Sequence, residues 1–224
     1  LKPAASISAI TLCAASELFG CEDDCLESSG QLGMSTADNA KIKRTILYVM
    51  RKAEFMALLR KEIERKAALA KKHGAEFAVR LNGTSDINFK QFIGSMPDIQ
   101  FYDYTKVYSN IVKNILPNYD ITFSGSANNE KTLRLTARAI ANNLRTVLAI
   151  NTAETKGEYK LPNNLGLIPL VNMDDTDARF YDDVDAVGVL ARKGSNKTQR
   201  AEDEKRNNFF FNKETLEKLE REVA

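Results

Sequence analysis

Apolar residues along this chain change their period several times, and the changes divide it into alternating short strands and helices. Residues 6–12 put apolar, partly β-branched side chains at alternate positions, the period of a strand. Ile42, Ile46, Leu47, Val49 and Met50 then recur at helical spacing behind Ser35-x-x-Asp38, which reads as a capping box. A second helical stretch, 54–73, carries Phe55, Leu58, Leu59, Ile63, Ala67 and Ala70 on its period and stops at Gly74. Beyond it, strands are predicted at 76–81, 98–104, 119–123, 146–150, 167–171 and 186–190, with helices at 89–95, 107–114 and 129–143. Residues 196–208 are charged and poor in apolar side chains, so they read as a surface loop or mobile stretch. The last element, 214–223, is a helix with few apolar residues.

Strands separated by helical patterns mean βαβ units and a mostly parallel sheet. The predicted class is α/β: a partial or closed (β/α) barrel of about six parallel strands, with a doubly wound open sheet as the alternative. Residues 1–194 form the barrel domain with its N-terminal cysteine loop, and 195–224 a charged tail. Both architectures put functional loops at the C-terminal ends of strands. Those ends are polar here: 82–86, Thr105-Lys106, 124–129, Asn151-Thr152 and 172–179.

Composition narrows the chemistry. The 224 residues are 43% hydrophobic and 28% charged, ordinary for a soluble globular chain. No run reaches the ~18 apolar residues of a membrane span, so no membrane partner is expected. One histidine, His73, and no tryptophan disfavour a Ser-His-Asp triad or a multi-histidine zinc site. Gly-x-Gly-x-x-Gly and phosphate-cradling lysine loops are absent, which disfavours nucleotide triphosphate hydrolysis. The net charge of +2 hides an uneven distribution: residues 41–73 hold eleven Lys/Arg against three Glu, either a surface for nucleic acid or a phosphorylated partner, or a solvated helix face.

The three cysteines carry more. Cys13, Cys21 and Cys25 stand in a C-x7-C-x3-C array directly after the first predicted strand, in an acidic loop with Glu17, Glu22, Asp23, Asp24 and Glu27. An odd number cannot pair completely, and no secretory signal is visible, so a reducing cytoplasm is expected. Three thiolates at one strand end suit an iron–sulfur cluster, or zinc completed by His73 or an acidic side chain, or no metal at all.

A three-cysteine loop after the first strand of a partial (β/α) barrel is similar to that of radical S-adenosylmethionine enzymes. Those hold a [4Fe-4S] cluster with one iron left open for S-adenosylmethionine, and reductive cleavage of that cofactor gives a 5′-deoxyadenosyl radical. The usual spacing there is C-x3-C-x2-C with an aromatic residue beside the last cysteine; this chain has a longer first gap, and Leu26 follows Cys25. The phrases Arg80-Leu-Asn-Gly-Thr-Ser-Asp86, Phe101-Tyr-Asp-Tyr-Thr-Lys106 and Thr122-Phe-Ser-Gly-Ser126 resemble an uncharacterised family of bacteriophage-encoded proteins. The resemblance extends over roughly residues 10–194, including Ser28-Ser29-Gly30 and residues 174–180. It implies a phage origin and a radical-S-adenosylmethionine-like barrel, and supplies no reaction.

Candidate site residues follow from the strand ends. By the same likeness, Asn82, Gly83, Thr84, Ser85 and Asp86 occupy the position that holds the cofactor's amino group, with Asn82 and Asp86 as acceptors. The alternative is a plain turn. Arg80, inside an apolar strand, needs a partner: Asp103, Asp86 or a ligand carboxylate. Asp103 and Lys106 form another polar pair that faces substrate. Ser124, Ser126 and Asn129 suit ribose hydroxyls or a carboxylate, with Ser126 also open to a helix-capping role. Asp174, Asp175 and Asp177, with Arg179, read as a divalent-ion site or a solvated acidic loop.

Two functions are therefore expected. The first is a phage-encoded iron–sulfur protein of the radical S-adenosylmethionine type, acting on an unknown small molecule, nucleotide or nucleic acid in the host cytoplasm. The second is a non-catalytic barrel that binds a virion or host protein, its cysteines structural or zinc-binding.

Overall fold

The computed structural model of the chain describes residues 12–21, 25, 30–150, 162–191 and 209–224. The predicted strand at 6–11, the loop at 151–161 and the charged stretch 196–208 lie outside these residues, as do Glu22, Asp23, Asp24 and Glu27 of the cysteine loop. The strands are β1 Ala78–Val79, β2 Gln100–Thr105, β3 Tyr119–Ser124, β4 Thr146–Ile150, β5 Asn164–Leu165, β6 Ile168–Asn172 and β7 Val187–Ala191. The α-helices are α1 Ser16–Phe19, α2 Ser35–Met50, α3 Lys52–Lys72, α4 Lys90–Gly94, α5 Tyr108–Val112, α6 Glu130–Ala141 and α7 Lys213–Val223. No described helix is long and apolar enough to cross a membrane.

Local chemistry accounts for the best-defined ends. Asn129 opens α6 with a capping box: its side chain accepts from Thr132 N–H, and the Thr132 hydroxyl accepts from Asn129 N–H. Asn212 and Thr215 do the same for α7. The box expected at Ser35 does not form. Met34 is the residue before α2, and its backbone carbonyl, with no side chain, takes the Asp38 N–H. Few apolar residues suffice in α7 because Leu216 and Leu219 are buried on the same stripe and Val223 packs beside them.

The seven described strands form one open sheet in the order β1-β2-β3-β4-β7-β6-β5. All neighbours are parallel except the two-residue β5, which runs antiparallel to β6. The sheet is mixed α/β and mostly parallel, and it does not close, so the expectation of a closed barrel is corrected. The strand order also departs from simple barrel winding. The last strand, β7, inserts between β4 and β6 instead of adding beyond β6.

Pleating separates the two faces. Phe101, Asp103, Thr105, Tyr119, Ile121, Phe123, Leu148, Ile150, Val187 and Val189 lie on the buried face, where they pack with residues of α1, α3, α4, α6 and α7. Arg80, Tyr102, Tyr104, Ser124, Val147, Ala149 and Leu190 lie on the other. The described helices that pack on the sheet do so on the first of these faces.

The insertion of β7 explains what crosses that second face. From β1 to β4 the chain steps in one direction with its helices on the buried face. From β6 to β7 it steps back, and a right-handed crossover in the reverse direction must pass over the opposite face. Residues 173–186 do so, without an α-helix. Asp177 takes hydrogen bonds from the Tyr102 and Tyr104 hydroxyls (3.3 and 3.1 Å) and pairs with Arg80 at 2.9 Å, while Phe180 packs on Tyr102. Gly188 of β7 leaves room for this strap, because a Cβ there would lie 2.0 Å from the Met173 sulfur.

Candidate functional site

Where strand order reverses in an open parallel sheet, the loops diverge at the C-terminal strand ends and leave a crevice. Here the reversal falls between β4 and β7, and the crevice is a cavity of about 460 Å³. Val147 and Ala149 of β4 and Leu190 and Ala191 of β7 line it, together with all three cysteines, residues 82–86, Thr105, Lys106, Ser124, the strap residues 173–177, and Phe209 and Phe210. Its size is that of a small-molecule or cofactor site.

One backbone bond ties the cysteine loop to this place. Asp86 N–H donates to the Leu12 carbonyl at 2.8 Å, so Cys13 enters the cavity beside the turn after β1. The short helix α1 then turns at Gly20, whose φ of +64° favours glycine and whose missing side chain makes room for Asn128. Cys21 donates to the Ser16 carbonyl at 3.8 Å. None of the three cysteines is in a disulfide, and all are half-buried.

The turn itself is organised from within. Asn82 Oδ1 accepts from the Ser85 hydroxyl and the Ile87 N–H, each at 2.9 Å, and its Nδ2 donates to the Ile87 carbonyl and to Asp103. That uses every donor and acceptor the amide has. Asp86 is similarly engaged: its carboxylate accepts from the Thr105 hydroxyl (2.9 and 3.0 Å) and from Lys106 N–H (2.9 Å). Burial pushes the Asp86 carboxyl up, opposed by these hydrogen bonds and by the Lys106 charge. The Lys106 ammonium reaches into the cavity, donating to Ser124 Oγ at 3.0 Å and lying 5.1 Å from the Phe209 ring centre.

The structure thus brings together most of the predicted site. Cys13, Cys21, Cys25, Arg80, Asn82, Gly83, Thr84, Ser85, Asp86, Lys106 and Ser124 all line one cavity. Three residues predicted to meet a ligand lie elsewhere. Asp103 is buried behind β1 on the helix side, accepting from Asn82 N–H at 2.8 Å and from the Tyr119 hydroxyl at 3.2 Å. Ser126 is fully buried and donates to the Phe19 carbonyl. Asn129 is the cap of α6, and its Nδ2 holds the Leu18 carbonyl at 2.9 Å. These three position loops rather than face the cavity. Arg80 finds its partner in Asp177 and lies 4.5 Å over the Tyr104 ring, so neither Asp103 nor Asp86 pairs with it directly.

Tyr104, Phe209 and Phe210 line the cavity although they stand outside the strand ends that the sequence singles out. Period two on β2 signals Tyr104, which shares its side with Tyr102, opposite Phe101 and Asp103. The run Phe209-Phe210-Phe211, directly after a polar stretch, is the signal for the rest.

Three thiols lining one cavity match an iron–sulfur cluster in donor type alone, since each thiolate takes its own iron. A single zinc or divalent ion needs its ligands gathered at one point. Among the described residues no three His, Cys, Asp or Glu side chains, the three cysteines included, form a group that could hold a metal ion. Asp177 is taken by Arg80 and the two tyrosines, and Asp174 accepts from Ala191 N–H at 2.9 Å, so the acidic segment anchors the strap. His73 is exposed at the end of α3 and does not line the cavity.

The Cys13 thiol is pushed up to about 12 by burial and by its neighbour Cys21, with Lys106 pulling the other way. It is therefore a protonated thiol at neutral pH. Alkylation of metal-free protein by iodoacetamide at pH 8 should modify Cys13 on the order of 10²-fold more slowly than a free cysteine, the scarcity of thiolate outweighing its greater nucleophilicity. Peptide mapping by mass spectrometry checks this, and a rate equal to that of a free cysteine would refute it.

Comparison with known proteins adds one finding. Residues 2–209 match the model of a family described as gene product 88, which fits the phage origin implied by the resemblance. No curated protein and no solved structure matches the chain.

Proposed function

From the premise that the chain belongs to the gene product 88 family, we propose that it is an iron–sulfur protein of the radical S-adenosylmethionine type, acting in the host cytoplasm on a small molecule or nucleotide. The observation that carries the reading is the convergence of the chain's only three cysteines on one cavity at the strand ends. Cys13, Cys21 and Cys25 would hold a [4Fe-4S] cluster, leaving one iron without a protein ligand. When bound, such a cluster supplies the electron that cleaves S-adenosylmethionine.

The chain's own groups do the rest. Burial and the neighbouring Cys21 keep the metal-free Cys13 thiol protonated, so loading releases its proton and is favoured at higher pH. Lys106, held by Ser124, places a cation where an anionic group of a ligand would sit. Val147, Ala149, Leu190 and the two phenylalanines give the remainder an apolar wall that excludes water. The Arg80–Asp177–Tyr104 contacts fix the far wall.

Anaerobic reconstitution with iron and sulfide should load about four irons per chain, on the cluster stoichiometry. Reduction in the presence of S-adenosylmethionine should then release 5′-deoxyadenosine and methionine. Changing any one of the cysteines to Ala should abolish cluster binding, not merely slow turnover. A fully loaded cluster that leaves S-adenosylmethionine intact would sink the enzyme reading while leaving the metal site in place.

A further inference from the structure

The 41–73 stretch plays no part in the cavity, and its charge has a definite arrangement. Helix α3 buries one side through Ile63, with Met56 and Leu59 packed beside it. On the opposite, exposed side stand Lys61, Arg65 and Lys72, at i, i+4 and i+11. At 1.5 Å per residue they form a straight row ~16 Å long. Lys66 and Lys71 flank the row and are exposed as well.

A helix face that is merely solvated mixes signs, and like charges four residues apart destabilise a helix. The acids of α3 offset this row only in part: exposed Glu62 and Glu64 stand three residues from Arg65 and Lys61 and, among the described residues, pair with neither. Glu54 pairs with Arg51 at 2.6 Å and Glu64 with Arg60 at 3.7 Å. Among the described residues no ion pair is formed by Lys61, Arg65 or Lys72. The favourable interaction of basic groups with a helix C-terminus reaches only the last turn, and so covers Lys71 and Lys72 but not Lys61 or Arg65. Among the described residues no ion pair offsets the Lys61–Arg65 repulsion directly.

We infer that the exposed Lys61–Arg65–Lys72 face of α3 binds the phosphate backbone of nucleic acid. A row of cations on a rigid helix, with no exposed aromatic ring between them, suits phosphates of a duplex and reads no sequence. This site is separate from the cavity and stands whether or not the cysteines carry a cluster.

The test uses the full-length protein and a fluorescent random-sequence DNA duplex, with binding followed by anisotropy between 50 and 200 mM KCl. Three to five phosphate contacts should weaken binding by about 40- to 500-fold over that range. The triple variant Lys61→Gln, Arg65→Gln, Lys72→Gln should lower the log–log salt slope by about 3. Glutamine has nearly the same helix propensity, so circular dichroism should be unchanged. Lys131→Gln with Lys213→Gln, exposed elsewhere, should bind like the parent. Absence of binding at 50 mM, binding indifferent to salt, or a triple variant that binds as the parent does would each overturn the inference. So would displacement of the duplex by polyglutamate as readily as by unlabelled DNA, which would assign the face to an acidic protein.

Discussion

Replacing Phe211 with Ala is expected to lower the stability of the whole chain by about 3–5 kcal/mol, the range for truncating a buried phenylalanine. Phe211 is 0% exposed and sits in one cluster with Leu148, Ile150, Leu216 and Leu219. Its N–H donates to the Ala149 carbonyl at 2.8 Å, and it bridges to Ile150 as a short parallel addition to β4. The ring therefore joins α7 to the sheet, and its loss leaves a void that neither side can fill by itself. Since domains are stable by roughly 5–15 kcal/mol, the change is a large fraction of the total. Urea titration followed by circular dichroism measures it. Leu167→Ala, at a side chain 98% exposed, is the control and should shift stability by under about 0.5 kcal/mol. A Phe211→Ala change below about 1 kcal/mol would mean that residues 209–224 are not part of the cooperative fold.

The second large effect is a pH dependence centred on Asp103. Burial pushes this carboxyl up to about 7, although Asn82 N–H, Arg80 and the Tyr119 hydroxyl all favour its charged form. Burial and the nearby Asp103 charge push the Tyr119 phenol up as well, so it remains a donor. In the unfolded chain an aspartate titrates near 3.9. The folded state thus holds the proton more tightly, and this group's stabilisation is complete below about pH 4 and lost as pH rises towards about 7. At about 1.4 kcal/mol per pH unit, easing as the folded pKa is reached, the interval from pH 5 to 7 carries roughly 2 kcal/mol. Unfolding free energies of the parent and of Asp103→Asn, measured at pH 5, 6, 7 and 8, isolate the contribution. The stability of the parent relative to the variant should fall by that amount from pH 5 to 7, then level off by pH 8. A constant difference would show that Asp103 titrates at its ordinary value.

Much of the architecture was legible because local pattern decided it. Apolar alternation located β2, β3, β4, β6 and β7 to within a residue or two, and the Leu133, Ala137 and Ile140 stripe located α6. Polar strand ends picked out most of the cavity wall before any coordinates, since a parallel sheet delivers those ends to one side. What pattern could not give was order. Nothing local distinguishes β7 beside β6 from β7 inserted next to β4. Neither could it pair Arg80 with Asp177, 97 residues away, in a strap whose path is set by the reversed winding. Asp103 and Ser126 misled for a related reason. At strand ends a buried acceptor and a cavity acceptor have the same residue type, and only the side of the pleat tells them apart. The charged tail concealed its own anchor, because two leucines and one phenylalanine are enough to bury a helix that already caps itself.

The inserted strand also sets a schedule. β4 emerges from the ribosome about forty residues before β7, and at 5–20 residues per second its outer edge waits roughly 2–8 s for a partner. During that interval Leu148 and Ile150 stand on a strand with one unpaired side, the kind of edge that recruits other chains. Phe211 arrives later still. The half of the sheet from β1 to β4 can form early from sequential neighbours, whereas the cavity comes into being only with the last strand and the C-terminal phenylalanines. Nascent chains stalled before residue 187 should therefore be the species that aggregates, and the centre of the finished sheet is the part completed last.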